Sequence, residues 1–420
     1  MGIELENSIL IVDEAHNLPD RIRSGLERRI TDQVFRRALD NIAEYKGNLQ
    51  RRDDSLDIGE SNELLDVISK STQGVLDEDE STEITRVSDL IDRLFSVVID
   101  EEEDTEDEEQ NDCTRIAEIL EICIRYRNSP ALALVFDHSL EQPRLTSHLL
   151  DPSLVGEEIF ETCRGAILMS GTLFPPEMYS EVLGVPSKKS SCRIYSSDFP
   201  IANRPVLIAN DVTSKFTERE TSMSLIGEHV RAVIENTKGN VAIFAPSYSM
   251  LERVHSDFEN LGWSSKRIIK EEQRMSKRRV EGMISTLYEQ KDMGGVAIFG
   301  VLNGKLSEGV DYSDNILDAL VCIGLPMAPP SAKQDALMEY FTDKFDRSRA
   351  WKYVSLQPAV NSVLQALGRP IRKKEDRAII VLLEKRMLER RVSDCMPKMM
   401  KIQTSKPSRT AERVRSFFEI

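Results

Sequence analysis

Asp13 and Glu14 follow the apolar run Ile9-Leu10-Ile11-Val12, and two adjacent carboxylates in that position can do phosphate chemistry. Four consecutive apolar residues, three of them β-branched, predict a strand buried on both faces, as strands of parallel sheets are. Ligands of open parallel sheets sit beyond the carboxyl ends of the strands, where this pair would hold a nucleotide. Asp13 can bind Mg²⁺ directly or through water, with Glu14 in the same metal set and able to orient the water that attacks a γ-phosphate. His16 would lie beside them as a neutral ring able to relay its state to another domain. The plainer alternative is a strand end carrying two solvated acids.

A second group lies far along the chain, in Gln365-Ala366-Leu367-Gly368-Arg369-Pro370-Ile371-Arg372. Gln365 and Arg369 are four apart and Arg369 and Arg372 three apart, so on a helix all three share a face. Two guanidiniums there can grip a γ-phosphate and stabilise the charge that spreads onto it during transfer. The alternative is a basic helix end on the surface. Between the two groups runs Gly304-Lys305-Leu306-Ser307-Glu308-Gly309-Val310-Asp311. Gly304 and Gly309 permit close backbone approach to a ligand, Lys305 and Ser307 can hold a nucleic-acid phosphate, and Asp311 a ribose or an arginine. An ordinary turn has the same composition.

These groups need strands and helices to position them. Runs at Ala166-Ile167-Leu168-Met169, Val206 to Ala209, Val241 to Phe244, Val296 to Phe299, Ala319 to Ile323 and Ala378 to Leu383 predict strands. Helical patterns alternate with the later ones, among them Met223 to Glu235 and a helix opened by a capping box at Ser249 and Glu252. This is a doubly wound α/β arrangement. The stretch after His16 reads differently, with helical spacing at 18–45, 62–73, 87–99 and 114–126. It is interrupted by Asp100 to Asp112, where ten of thirteen residues are acidic and mutual repulsion favours a solvated loop. Two strand-like segments separated by this stretch predict one sheet interrupted by an inserted, mostly helical domain.

Net charge is −16, which alone argues against a nucleic-acid partner, but its distribution argues otherwise. Residues 1–150 hold 36 acids against 16 Lys and Arg, whereas residues 151–420 hold 35 against 39, so the two parts face different partners. A cluster from Lys266 through Arg267, Lys270, Arg274 and Lys277 to Arg278 and Arg279 can follow a phosphate backbone or form a solvated helix face. The six cysteines are scattered without a C-x-x-C pair, a pattern of buried free thiols rather than of zinc or a disulfide framework. No apolar run approaches membrane-spanning length and no signal-peptide pattern opens the chain, so the expectation is an intracellular protein with no membrane partner.

The set DEAH at 13–16, SGT at 170–172, APSY at 245–248, GKLSEGVD at 304–311 and QALGRPIR at 365–372, in this order, resembles the XPD family of superfamily 2 DNA helicases, close to DinG. The resemblance implies a partial RecA-like motor lobe at 1–20 and 146–186, an Arch domain at 21–145 and a complete RecA-like lobe at 187–420. It further implies ATP hydrolysis with Mg²⁺ at Asp13 and Glu14, coupled to 5′ to 3′ movement on single-stranded DNA in nucleotide excision repair or a related pathway. Thr172 in the SGT turn would couple nucleotide state to DNA; Ser247, Tyr248, Lys305 and Ser307 would contact or support the strand. Gly309 and Asp311 would serve the nucleotide, and Arg369 and Arg372 would sense the γ-phosphate beside Gln365. A repair-complex protein could dock on the Arch domain, in the nucleus of a eukaryote or the cytoplasm of a prokaryote.

Two departures qualify the resemblance. No G-x-x-x-x-G-K-[ST] phosphate loop occurs in the sequence. In the family that loop, like the four cysteines of a 4Fe-4S cluster domain, precedes DEAH, so the expectation is the C-terminal two-thirds of such a helicase, inactive alone. Pro370 is the second departure, biasing Arg369 away from helical angles. The rival reading is a non-enzymatic protein-interaction module built on helicase remnants; a nucleotidase of different design is disfavoured because nothing replaces the lysine.

Overall fold

The structure is a computed structural model describing residues 4–50, 91, 94, 112–137, 143–262, 264–308, 310, 312, 314–397, 399 and 401–419, with backbone only at 42–50 and 308. The expected helix at 62–73, most of that at 87–99, nearly all of the acidic run, and the site candidates Gly309 and Asp311 lie outside the described residues.

Among the described residues three sheets carry the chain. Strand β1 (Ile9–Val12) pairs in parallel with β5 (Gly165–Leu168), Ile9 opposite Gly165 and Val12 opposite Leu168. Between them in sequence lie β2 (Arg28–Thr31), β3 (Leu132–Asp137) and β4 (Arg144–Leu149), an antiparallel sheet in the order β2-β4-β3. Helices Asp32–Gln50 and Asp112–Arg125 cover that sheet, burying Ile30, Val34, Ile116, Leu120 and Leu145 together. The expectation of continuous helix over 18–45 is therefore corrected: one helix ends at Gly25, and Arg28–Thr31 is extended because Ile30 turns into this core while the backbone pairs with β4. β4 also runs across the expected division at 145/146.

The third sheet has seven parallel strands in the order β12-β6-β11-β10-β7-β9-β8, from β6 (Val206–Ala209), β7 (Val241–Ala245), β8 (Arg267–Lys270), β9 (Val296–Val301), β10 (Ala319–Ile323), β11 (Ile379–Leu383) and β12 (Lys401–Thr404). Its central strands are buried on both faces, and the pleat divides them cleanly. Ala242 and Phe244 of β7 enter one core with Leu320 and Cys322, whereas Val241, Ile243 and Ala245 enter the other with Val321 and Ile323. β8 occupies part of the expected basic cluster. Lys266 is buried and donates to the Lys238 carbonyl at 3.2 Å, Lys270 pairs with Glu252, and Arg279 sits on the next helix, so the cluster is split among elements.

A helical hairpin, Ala332–Lys344 and Arg347–Trp351, follows β10 yet packs on the N-terminal part. Leu337, Phe341 and Ala350 share a core with Leu150, Met178, Tyr179 and Val182. Lys344 donates to the buried Asp151 at 2.6 Å, and Lys333 to Glu27 at 2.9 Å. A π-helical stretch, Lys352–Leu356, then leads into the helix Gln357–Leu367. Among the described residues no helix is long and apolar enough to cross a membrane.

Candidate nucleotide and nucleic-acid site

The carboxyl end of β1 turns sharply. Glu14 adopts the left-handed conformation (φ 49°, ψ 40°), which costs a residue with a Cβ roughly 1 kcal/mol. The turn is tied down by the Ala15 amide donating to the Met169 carbonyl at 3.0 Å, which draws the loop after β5 against it. Strain held in this way at a strand end points to function.

What the turn achieves is a directional chain of hydrogen bonds across a cleft. The Gln365 amide nitrogen, on the helix before the second group, meets His16 Nε2. His16 Nδ1 lies 2.7 Å from Ser170 Oγ, which in turn donates to Glu14 Oε2 at 2.8 Å. Gln365 can only donate from that nitrogen, so His16 Nε2 accepts and its proton sits on Nδ1. Burial holds the ring below its ordinary pKa although Glu14 and Asp20 pull the other way, so the neutral tautomer that the chain requires is the favoured one. Ser170 also accepts from the Thr172 amide at 3.1 Å. Ser170 was not singled out from the sequence; its place in the SGT turn was the available signal.

The cleft measures about 2500 Å³ and is lined by Glu14, His16, Thr172, Gln365, Arg369 and Arg372 among others. The expectation that Gln365, Arg369 and Arg372 share one helix face is corrected. The helix ends at Leu367 with Gly368 as its cap, because Pro370 disfavours helical angles at Arg369, so both arginines stand beyond the last turn. Arg369 Nη1 donates to the Val310 carbonyl at 3.1 Å, and the Arg372 amide to Asp376 at 2.7 Å. They still border the cleft opposite Glu14. Asp13 is exposed at the end of β1, one oxygen accepting from the Glu14 amide at 2.9 Å. Its carboxylate and that of Glu14 fit the hard-oxygen donor set of Mg²⁺, which takes one or two carboxylates and completes its shell with phosphates and water.

The candidate nucleic-acid residues gather at the carboxyl ends of β7 and β9. Ser247, exposed, caps the helix Tyr248–Asn260 by accepting from the Met250 amide at 3.3 Å; the cap is Ser247, not Ser249 as the pattern suggested. Tyr248 donates its hydroxyl to Glu271 at 3.1 Å, and the same carboxylate receives the amides of Val301 at 3.1 Å and Lys305 at 3.2 Å. Glu271 is 1% exposed and thus fixes both loops together, a role no sequence pattern announces. Gly304 is obligatory here, since a Cβ would come within 2.9 Å of Glu271 Oε1. Lys305 is exposed; Ser307 is buried and bonded to the Gly304 backbone at 3.0 Å, so it shapes the loop from inside.

Residues 230–403 match the helicase C-terminal domain family. The chain is 25% identical over its whole length to the ATP-dependent DNA helicase CHL1 of Meyerozyma guilliermondii, of which the match covers 57%. It is 24% identical over 92% of its length to the ATP-dependent DNA helicase XPD of Sulfolobus acidocaldarius, covering 66% of that protein. The chain thus spans little more than half the length of the CHL1 relative. In fold it is similar to Xpd4 of S. tokodaii, with a TM-score of 0.59, 18% identity, and coverage of 96% of this chain and 77% of that one. A second XPD helicase structure gives a TM-score of 0.54 at 22% identity, covering 96% and 70%. The two parallel sheets accordingly belong to RecA-like lobes.

Proposed function

We propose that the chain is an XPD/DinG-like member of the superfamily 2 helicases and forms the part of an ATP-driven 5′ to 3′ DNA translocase that senses the γ-phosphate and grips single-stranded DNA. In this reading residues 1–20 and those from the end of β4 to 186 belong to the first motor lobe, 21–145 with the rest of β4 to an Arch domain and 187–420 to the second lobe. The observation that carries it is the Gln365–His16–Ser170–Glu14 chain, which joins the two lobes through the residue that would orient the attacking water. In this reading a change at the γ-phosphate is felt at Glu14 and passed through Ser170 and His16 to Gln365.

Asp13 and Glu14 would hold Mg²⁺ with ATP, Arg369 and Arg372 would meet the developing charge, and Ser247, Tyr248 and Lys305 would meet the DNA. We place the protein inside the cell, acting in repair of DNA, with the acidic middle region as the surface for a partner protein. Because the sequence holds no G-x-x-x-x-G-K-[ST] loop, the chain alone is expected to lack turnover, and a 4Fe-4S cluster would belong to a segment outside it.

The test is ATP hydrolysis with and without single-stranded DNA, by this chain and by the full-length protein, each also as Glu14→Gln. The expected result is no turnover by the chain, and in the full-length protein ATP binding without hydrolysis for Glu14→Gln and Arg369→Ala. DNA-stimulated turnover by the chain that Glu14→Gln abolishes would overturn the need for a phosphate loop. A full-length protein in which Glu14→Gln hydrolyses normally would overturn the role of the DEAH turn.

A further inference from the structure

The loop after β6 carries a large aromatic side chain that the fold leaves in solvent. Phe216 is 76% exposed, and the guanidinium carbon of Arg219 lies 4.5 Å from its ring centroid. The loop beneath it is firmly held. Glu384, buried at the end of β11, accepts from Thr213 Oγ1 at 2.6 Å and from the Ser214 amide at 2.9 Å, and it is paired with Arg386 at 2.8 Å. An apolar ring on a rigid loop, already backed by a cation, is an open π-face rather than a loose side chain.

Its neighbourhood is the surface that carries Ser247 and Tyr248. Gly324 (φ 72°), just after β10, lets that turn approach the loop after β6, since a Cβ there would stand 2.2 Å from Ser214 Oγ, and Pro246 of the loop after β7 lies in ordinary contact range of the same position at 3.7 Å. Arg253, on the helix that Ser247 caps, grips Glu220 next to Arg219 at 2.6 Å. The local charge is positive. Lys215 at 3.1 Å and Lys385 at 2.6 Å share the single carboxylate Glu218, leaving cationic excess beside the ring.

We propose that Phe216 and Arg219 form a stacking platform for one base of single-stranded DNA, with Lys215 and Lys385 meeting the adjoining phosphates. The platform rests on the nucleic-acid reading of the Ser247, Tyr248 and Lys305 surface and extends it toward β6. Stacking on an aromatic face tolerates every base, as a motor that moves along any sequence requires, and neighbouring cations supply the salt-dependent remainder of the affinity.

Fluorescence anisotropy of the 420-residue chain with an oligothymidylate and with an abasic oligonucleotide of equal length tests this. Wild type should favour the base-bearing strand, and Phe216→Ala should bind it about 10-fold more weakly while changing little on the abasic strand. Phe216→Trp should keep the affinity and show emission quenched on binding, a contact readout that a folding defect would not mimic. Wild-type binding with both variants indifferent, and no quenching at position 216, overturns the platform and leaves the Tyr248 surface standing, the ring then serving only to cover Arg219. Absence of binding by wild type to either strand overturns the nucleic-acid reading and the platform with it.

Discussion

The two parallel sheets are made from the same kind of strand but end in opposite states. Ile9-Leu10-Ile11-Val12 of β1 is as apolar as Ala319-Leu320-Val321-Cys322-Ile323 of β10. Yet Ile9, Ile11 and Ile167 of the two-stranded sheet are 63%, 65% and 53% exposed, whereas every residue of β10 is 1% exposed or less. The difference is made by neighbours. β10 has a strand on each side and helices on both faces; β1 has β5 alone among the described residues. A strand's apolar content states what it can bury, and the surrounding chain decides whether burial happens.

Three substitutions sharpen or break that comparison. Phe244→Ala, in β7 at 0% exposure, should remove about 4 kcal/mol of stability in urea unfolding, as transfer and cavity terms add. A loss under 1 kcal/mol would mean the seven-stranded sheet is loosely packed.

Glu384→Ala should cost about 3 kcal/mol, because Arg386 and the Thr213 loop lose a buried partner. Burial pushes this carboxyl's pKa up, but the Arg386 charge and the bonds from Arg386, Thr213 and Ser214 outweigh it and hold the pKa below the ordinary 4.5. The unfolded chain therefore takes up the proton first as pH falls. Stability from this group is whole above about pH 4.5 and is lost as pH falls through the depressed value, a decline that should flatten in Glu384→Gln when unfolding is followed against pH.

The smallest effect belongs to the first sheet. Ile11→Ala should change stability of this chain by less than about 0.5 kcal/mol, since the side chain is already largely in water. A cost near that of a core truncation would show the face to be covered in solution.

The strands of the large sheet were legible because β-branched runs bounded by turns need no long-range information. β2 was not, since Arg28-Arg29-Ile30-Thr31 offers one inward apolar residue and owes its shape to β4, far away in sequence. β8 was hidden for a related reason, its Ile268 and Ile269 being flanked by cations that read as a basic cluster. In the site, the spacing of Gln365, Arg369 and Arg372 matched a helical period, but period carries no stop signal, and Gly368 with Pro370 ended the helix. Glu271 lay inside a run of charged and polar residues where nothing distinguishes the one acid that turns inward. His16 was read as able to relay its state to another domain; which side chain it meets was a question of tertiary structure.

The hairpin 332–351 has a mechanical consequence. It follows β10 of the large sheet but is held to the N-terminal part by Asp151, Glu27 and a shared apolar core, so the two parts of the chain meet there as well as at the Gln365–His16 contact and through the covalent connector after Val182. A load on one part is therefore shared among three separated links, and the π-helical Lys352–Leu356 lies between the hairpin link and the helix that carries Gln365.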